Sequence, residues 1–356
     1  MRQLHNIPLA DLTTMQVGGP ANHVVDVESE SELTELLEQL DATAEPVAIL
    51  SGGSNVIAHD SGWPGTIIRP AIKKLSANSS THHIALEIGA GESWDDIVAT
   101  TVEKNWAGLA SLSGIPGWCG AAPIQNIGAY GTEIGKRLAS VKAFDRQTHR
   151  FTTIAANQCA LDYRTSLFKH NPRYIITEIT IQLDDSREER VCYSELAIAL
   201  GVEVGTHVPT NAVRSAVLEL RRSKGMVVDA EDPESRSTGS YFVNPIVSSS
   251  ELARIDKLAN ARHSDATVYV PRFQLDESRF KIPAAWLIEQ AGFHKGLTIR
   301  GIGGAGISNK HALAIVNRGG RCSDVLALEE AIRAGVHSAF GVILEREPVL
   351  LQYTGN

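Results

Sequence analysis

The chain has 356 residues, enough for two or three domains with cores of their own. Its 41 acidic and 33 basic residues leave a net charge of -8, which speaks against a nucleic-acid or anionic-membrane partner. The opening MRQLHNIPLADL has no apolar signal core, and Cys119, Cys159, Cys192 and Cys322 show no paired spacing, so reduced thiols and a cytoplasmic location are expected.

The first predicted helix spans 29–40, where Ser29 and Glu32 form a capping box and Leu33, Leu36, Leu37 and Leu40 share a face. The short strand VAIL at 47–50 runs directly into the small-residue loop SGGSN at 51–55. Ile84, Leu86 and Ile88 alternate as in a half-buried strand, and a helix capped by Ser93 follows.

From Asn105 to Thr132 there is then no charged side chain. Glycines 114, 117, 120, 128 and 131, with Pro116 and Pro123, keep this stretch from forming a membrane helix. Such a segment can bring bare N–H groups close to a large, flat, anionic ligand. With SGGSN before it, the pair of loops suggests one extended cofactor, a dinucleotide first of all.

Next come a hairpin over 141–151, an alternating strand over 173–183, and the charge run DDSREER at 184–190, which reads as a boundary or at least an exposed turn. A helix over 209–224 ends in Arg221, Arg222 and Lys224, where cations complement the helix dipole, so charge alone favours a structural role for them over anion binding. The polar segment 229–239 reads as a flexible loop. Helices follow over 250–263 and 283–292, then a strand over 312–317, a helix over 322–336 and a closing strand over 341–351. The order is α+β rather than strict βαβ repetition.

Gly301, Gly303 and Gly306 match G-x-G-x-x-G, but a strand and not a helix follows, so the dinucleotide fingerprint is not met and a loop between strands is expected. His82 and His83 are adjacent, a spacing that does not converge on a metal, and none is expected.

Six blocks in order carry a family likeness: SGGSN (51–55), SGIPGWCGAAPIQNIGAYG (113–131), DYRTSLFK (162–169), GSYFVNP (239–245), PAAWLIEQAGFHKG (283–296) and ISNKHALAIVN (307–317). On these the chain resembles the UDP-N-acetylenolpyruvoylglucosamine reductase family, from about Thr14 to the C-terminus. The CYSEL segment around Tyr193 is similar to the subgroup with a mobile tyrosine loop over the substrate.

The resemblance implies reduction of the enolpyruvyl ether of UDP-N-acetylglucosamine to UDP-N-acetylmuramate, with bound FAD taking hydride from NADPH and passing it to the vinyl carbon. It implies a vanillyl-alcohol-oxidase-type FAD-binding half at 1–190, in lobes of about 1–70 and 71–190, and an α+β substrate-binding domain at 191–356. Arg164 would hold the substrate carboxylate, Ser240 would donate the proton to carbon, and Glu347 would assist the intermediate. On physics alone a small residue beside Gly239, present for packing, is the simpler reading of Ser240, because a hydroxyl is a weak acid.

Gly52, Gly53, Ser54 and Asn55 would wrap the FAD pyrophosphate, and Ser113, Gly114, Pro116, Gly117, Gln125 and Gly128 would line the rest of the cofactor path. Tyr193 and Lys224 would meet the substrate diphosphate and Asn244 the nucleotide sugar, with Gln290 a further candidate.

Two departures stand out. LEREPV at 344–349 replaces a family pattern close to LEPEV, which makes Glu347 the match but leaves Glu345 two residues away on the same face of the expected strand. Trp118 and Cys119 replace a smaller pair, so Cys119 either alters redox sensitivity or fills space. The expected partner is a small-molecule nucleotide sugar, with no nucleic acid, no membrane and a monomeric state. The alternatives are another FAD-dependent oxidoreductase of the same cofactor fold, which would lack Arg164 and Ser240 and consume oxygen, and a nucleotide-sugar sensor without flavin.

Overall fold

The computed structural model describes residues 1–43, 45–80, 83–262 and 268–355. They form two compact units, and the chain passes between them several times. The first comprises Met1–Pro8, Pro20–Gly53 and Trp63–Val227; the second comprises Leu9–Gly19, Ser54–Gly62 and Val228–Asn356.

Two large sheets build the first unit. In one, Arg2–Pro8 pairs antiparallel with Pro20–Val27, which runs parallel to Trp63–Pro70, itself parallel to Val47–Ile49. Helix α1 (Glu30–Thr43) buries Leu33, Leu36, Leu37 and Leu40 against Val25, Val27 and Ile68. Half of its expected capping box forms: the Glu32 N–H donates to Ser29 Oγ at 3.2 Å, while the Glu32 carboxylate accepts from the Glu28 N–H instead.

The other sheet is antiparallel throughout, in the order Arg150–Ala155, Leu138–Asp145, Tyr174–Asp185, His83–Gly89, Leu75–Ser79. Its apolar face, with Ile84, Leu86, Ile88, Val141, Ile179 and Ile181, packs with Trp94, Ile97 and Val98 of α2 (Trp94–Glu103). Ser93 stands at the N-cap of α2 but makes no side-chain cap bond.

The expected boundary at 190 falls inside the first unit. Within DDSREER, Glu189 is 8% exposed. Its carboxylate accepts from the N–H groups of Gly108, Ala110 and Ser111 and from Ser111 Oγ, at 2.8–3.1 Å. This anchors the hairpin Glu188–Arg190/His207–Pro209, and helices α3 (Ser194–Leu200) and α4 (Thr210–Ser223) pack with Val102 and Ala110. Glu189→Ala would strand three buried backbone donors, and an expected loss of about 3 kcal/mol or more is read as a fall in chemical-denaturation midpoint. An unchanged midpoint would contradict the anchoring role.

In the second unit, Met15, Val17 and Ile57 share a core with α5 (Ser249–Ala261), α6 (Ala284–Gln290) and α7 (Cys322–Phe340). This is why two short early segments belong with the C-terminal half. Val56–Ala58 pairs parallel with Val349–Leu351, a ladder that joins segments far apart in sequence.

Gly301 and Gly303 lie in turns as expected of a glycine-rich loop, whereas Gly306 lies within the strand Ala305–Ile307, which pairs with Ile315–Asn317. The segment 229–239 is not a loose loop. Glu234 is buried and accepts from Ser308 Oγ, the Asn309 N–H and Asn309 Nδ2, each at 2.7 Å, with Arg318 Nη1 at 3.3 Å, while Asp232 pairs with Lys310 at 2.7 Å.

Among the described residues no helix is long and apolar enough to cross a membrane, and no group of three or more His, Cys, Asp or Glu is placed to hold a metal. His82 lies outside the described residues.

Candidate active site

In the first unit the two small-residue loops meet backbone to backbone. A Cβ on Gly52 would lie 2.8 Å from Gly117 Cα and 3.0 Å from Trp118 N, so only glycine permits this approach. Gly53 and Gly117 both have positive φ, at 64° and 113°. The uncharged segment is fastened at several points. Ser113 is buried with its Oγ donating to Ala110 O at 2.7 Å, and the Trp94 N–H donates to Gly117 O at 2.9 Å. The Gly114 N–H donates to Asp95 Oδ1 at 2.6 Å, and Arg214 holds that same carboxylate through two bonds, at 2.6 and 2.9 Å. Pro116, Gln125 and Gly128 lie half-buried along this segment.

Gly114, at φ 71°, faces Arg221, whose Nε would be 3.3 Å from an added Cβ. Arg221 Nε is buried and makes no hydrogen bond, while its Nη2 donates to Met226 O at 2.9 Å. A buried guanidinium donor left over beside a bare glycine loop fits an acceptor-rich ligand such as FAD. Charge at a helix end favoured a structural reading of Arg221; its burial beside Gly114, invisible in the sequence, favours ligand binding.

Arg164 occupies the left-handed region at φ 54°, in the tight turn bridged by Asp162 and Thr165. Its Nη2 donates to Gly128 O at 2.9 Å and its Nη1 reaches Asn126 O at 3.5 Å, while Lys169 Nζ donates to Arg164 O at 2.7 Å. A bulky residue held at positive φ is a local cost that the surrounding bonds sustain, as functional residues often are.

Tyr193 and Lys224 come together with Tyr130, which the sequence did not single out. The two tyrosine rings meet edge to face with centroids 5.9 Å apart, and Lys224 Nζ lies 5.8 Å from the Tyr130 centroid. Lys224 also pairs with Glu195 at 2.6 Å. Burial pushes the Tyr130 phenol up to about 12, so it remains a hydrogen-bond donor.

In the second unit, 240–243 and 345–347 run antiparallel. Phe242 bridges Arg346, the Glu347 N–H donates to Tyr241 O, and the Val243 N–H donates to Glu345 O, both at 2.9 Å. The backbones beside Ser240 and Glu347 are thereby joined. Asn55 Nδ2 donates to Glu347 O at 3.3 Å, and Asn55 O accepts from the Val349 N–H at 2.9 Å. Ser54 O accepts from Thr14 Oγ1 at 3.3 Å.

The expected strand 341–351 is corrected to Val349–Leu351 alone. Burial alternates over Val342, Ile343, Leu344 and Glu345 and breaks at Arg346, so Glu345 is exposed while Glu347 is 9% exposed. Asn244 Oδ1 accepts from the Ala284 N–H at 2.8 Å and so serves the start of α6. Gln290 ends that helix, half-buried.

Cys119 is fully buried in the sheet–helix core, and burial pushes its thiol well above the usual range. It fills space and is not poised for redox chemistry. Burial likewise raises Cys159 to about 11 and Cys322 to about 12, whereas Cys192 is exposed. Maleimide labelling of the folded protein should therefore modify Cys192 first, with the other three reacting only on denaturation. Rapid native labelling of Cys119 would contradict its assignment.

The family profile described as UDP-N-acetylenolpyruvoylglucosamine reductase, C-terminal domain, matches residues 232–351, and that of the FAD binding domain matches 21–152. The UDP-N-acetylenolpyruvoylglucosamine reductase of Thermobifida fusca is 43% identical, covering 98% of this chain and 98% of its own length. The reductase of Streptomyces coelicolor is also 43% identical, covering 98% and 90%. The crystal structure of the Thermus caldophilus reductase superposes with a TM-score of 0.65 at 24% identity, over 99% of this chain and 98% of that one. The α+β architecture with an FAD-binding half is therefore shared across almost the whole length. This chain belongs to the UDP-N-acetylenolpyruvoylglucosamine reductase family.

Proposed function

We propose that this chain catalyses the NADPH-dependent reduction of the enolpyruvyl ether of UDP-N-acetylglucosamine to UDP-N-acetylmuramate, a step in peptidoglycan precursor synthesis. The observation that carries this reading is 43% identity to a reductase of that name across 98% of both chains. When bound, FAD supplies the hydride chemistry, taking its electrons from NADPH. Gly52, Gly53, Ser54 and Asn55 would hold its pyrophosphate, and Ser113, Gly114, Pro116, Gly117, Gln125, Gly128 and Arg221 its remaining polar edges.

The protein's own part is electrostatic and positional. Hydride arriving at the vinyl carbon drives negative charge onto the substrate carboxylate, so a fixed cation is needed there, and Arg164 supplies it. The adjacent carbon then takes a proton from Ser240. Glu347, buried and with its N–H bonded to the carbonyl of Tyr241 next to Ser240, would assist by hydrogen bonding or as a protonated acid. Tyr193 and Lys224 would bind the diphosphate, with Asn244 and Gln290 toward the nucleotide sugar. The reading includes a monomer acting in the cytoplasm.

The test is aerobic turnover with both products followed. The expected result is one UDP-N-acetylmuramate formed per NADPH consumed, dependent on the enolpyruvyl nucleotide and with little oxygen uptake. Oxygen uptake matching NADPH loss without nucleotide reduction would favour another flavin oxidoreductase, and a protein purified without flavin absorbance would favour a sensor.

A further inference from the structure

A carboxylate that the chemistry above does not use lies beneath the proposed proton-delivering residues. Glu329, on α7, is 3% exposed. Its Oε2 accepts from the Tyr241 hydroxyl at 2.8 Å, and its Oε1 lies 3.3 Å from Arg346 Nε and 3.7 Å from Arg333 Nη1. Tyr241 immediately follows Ser240, and Arg346 immediately precedes Glu347. One buried carboxylate therefore grips the chain neighbours of both residues.

Tyr241 is held at two further points, its N–H donating to Leu313 O and its O accepting from the Glu347 N–H, each at 2.9 Å. Burial, and then the Glu329 charge, push its phenol far above the usual range, so the hydroxyl stays a donor to the carboxylate.

Apolar side chains of equal volume usually stabilise a core as well as a buried ion pair does. What the ion pair provides is a defined geometry. A proton donor displaced by about 1 Å can lose on the order of 100-fold in rate, so geometry at this position acts directly on proton delivery.

We propose that Glu329 is a positioning residue, holding the Ser240 and Glu347 backbones in register for proton delivery through Tyr241 and Arg346. The proposal rests on the roles given above to Ser240 and Glu347. With both oxygens engaged inside the core, Glu329 is not itself a proton donor.

The experiment uses flavin-loaded Tyr241→Phe and Glu329→Gln, with Ser240→Ala alongside. Tyr241→Phe removes one hydroxyl and keeps the ring, so it remains informative if the glutamate variant does not fold. Reoxidation of NADPH-reduced enzyme by the enolpyruvyl nucleotide should slow about 10- to 100-fold in both, with reduction by NADPH and the half-saturating nucleotide concentration unchanged. Glu329→Gln added to Ser240→Ala should slow reoxidation no further. Without substrate, amide hydrogen exchange at Tyr241, Val243 and Glu347 should speed up about 10-fold or more.

Wild-type reoxidation in both variants while Ser240→Ala is slow overturns this proposal and leaves the reading of Ser240 standing. Parallel loss of both half-reactions, tracking the melting temperature, overturns it as well, because the network would then be structural only. Wild-type reoxidation in Ser240→Ala removes the role of Ser240 and this proposal with it.

Discussion

Ser240→Ala should retain flavin and near-normal reduction by NADPH, yet reoxidise with the enolpyruvyl nucleotide about 100- to 10,000-fold more slowly, the range for losing an acid catalyst. The asymmetry is the point. Reduction by NADPH needs no proton delivered to carbon, whereas completing the substrate step does. Packing alone would not produce this pattern. Ser240 is half-buried, and Gly239 beside it is required by its backbone, at φ 71°, with nothing within 4 Å of an added Cβ. Removing one hydroxyl from such a position should leave the fold and the first half-reaction intact. Equal slowing of both half-reactions, read by stopped flow, would assign the hydroxyl to packing.

Glu347→Gln should depress nucleotide-dependent reoxidation by at least about 100-fold with little change in melting temperature, while Glu345→Gln should stay within about 0.5 kcal/mol in stability and near wild type in rate. The two glutamates differ in surroundings. Glu345 is exposed, whereas Glu347 is buried where its N–H meets Tyr241 and its carbonyl meets Asn55. An amide keeps the shape and hydrogen-bonding reach of the side chain and deletes only carboxyl chemistry. If Glu345→Gln were the variant that lost activity, the match of LEREPV to the family pattern would shift by two residues, and the roles of Arg164 and Ser240 would be unaffected.

Local pattern carried much of this molecule, and long-range pairing carried the rest. The leucines of α1, the alternation of Ile84, Leu86 and Ile88, and the two glycine loops were all legible, because each is set by neighbours in sequence. The run 184–190 looked like a boundary because its charge is conspicuous. Nothing local reveals that Glu189 caps the N–H groups of residues 108, 110 and 111.

Segment 229–239 looked loose for a similar reason: the donors that bury Glu234 come from residues 308, 309 and 318. The inclusion of 9–19 and 54–62 in the second unit depends on Met15, Val17 and Ile57 packing with a distant core. Of the residues given roles in the proposals above, Arg164, Ser240 and Glu347 were named by motif. Tyr130, Arg221 and Glu329 were not, because burial and partners distinguish them and residue type does not.

The central claim is that the bound flavin of this chain passes reducing equivalents from NADPH to the enolpyruvyl nucleotide. The most direct measurement is anaerobic: bleach the purified protein with one equivalent of NADPH, remove the NADP, then mix with the nucleotide and follow absorbance and product together. Full recovery of the oxidised spectrum, with one UDP-N-acetylmuramate formed per flavin, is the result expected. A spectrum that stays bleached in the nucleotide and recovers only when oxygen is admitted would contradict the account.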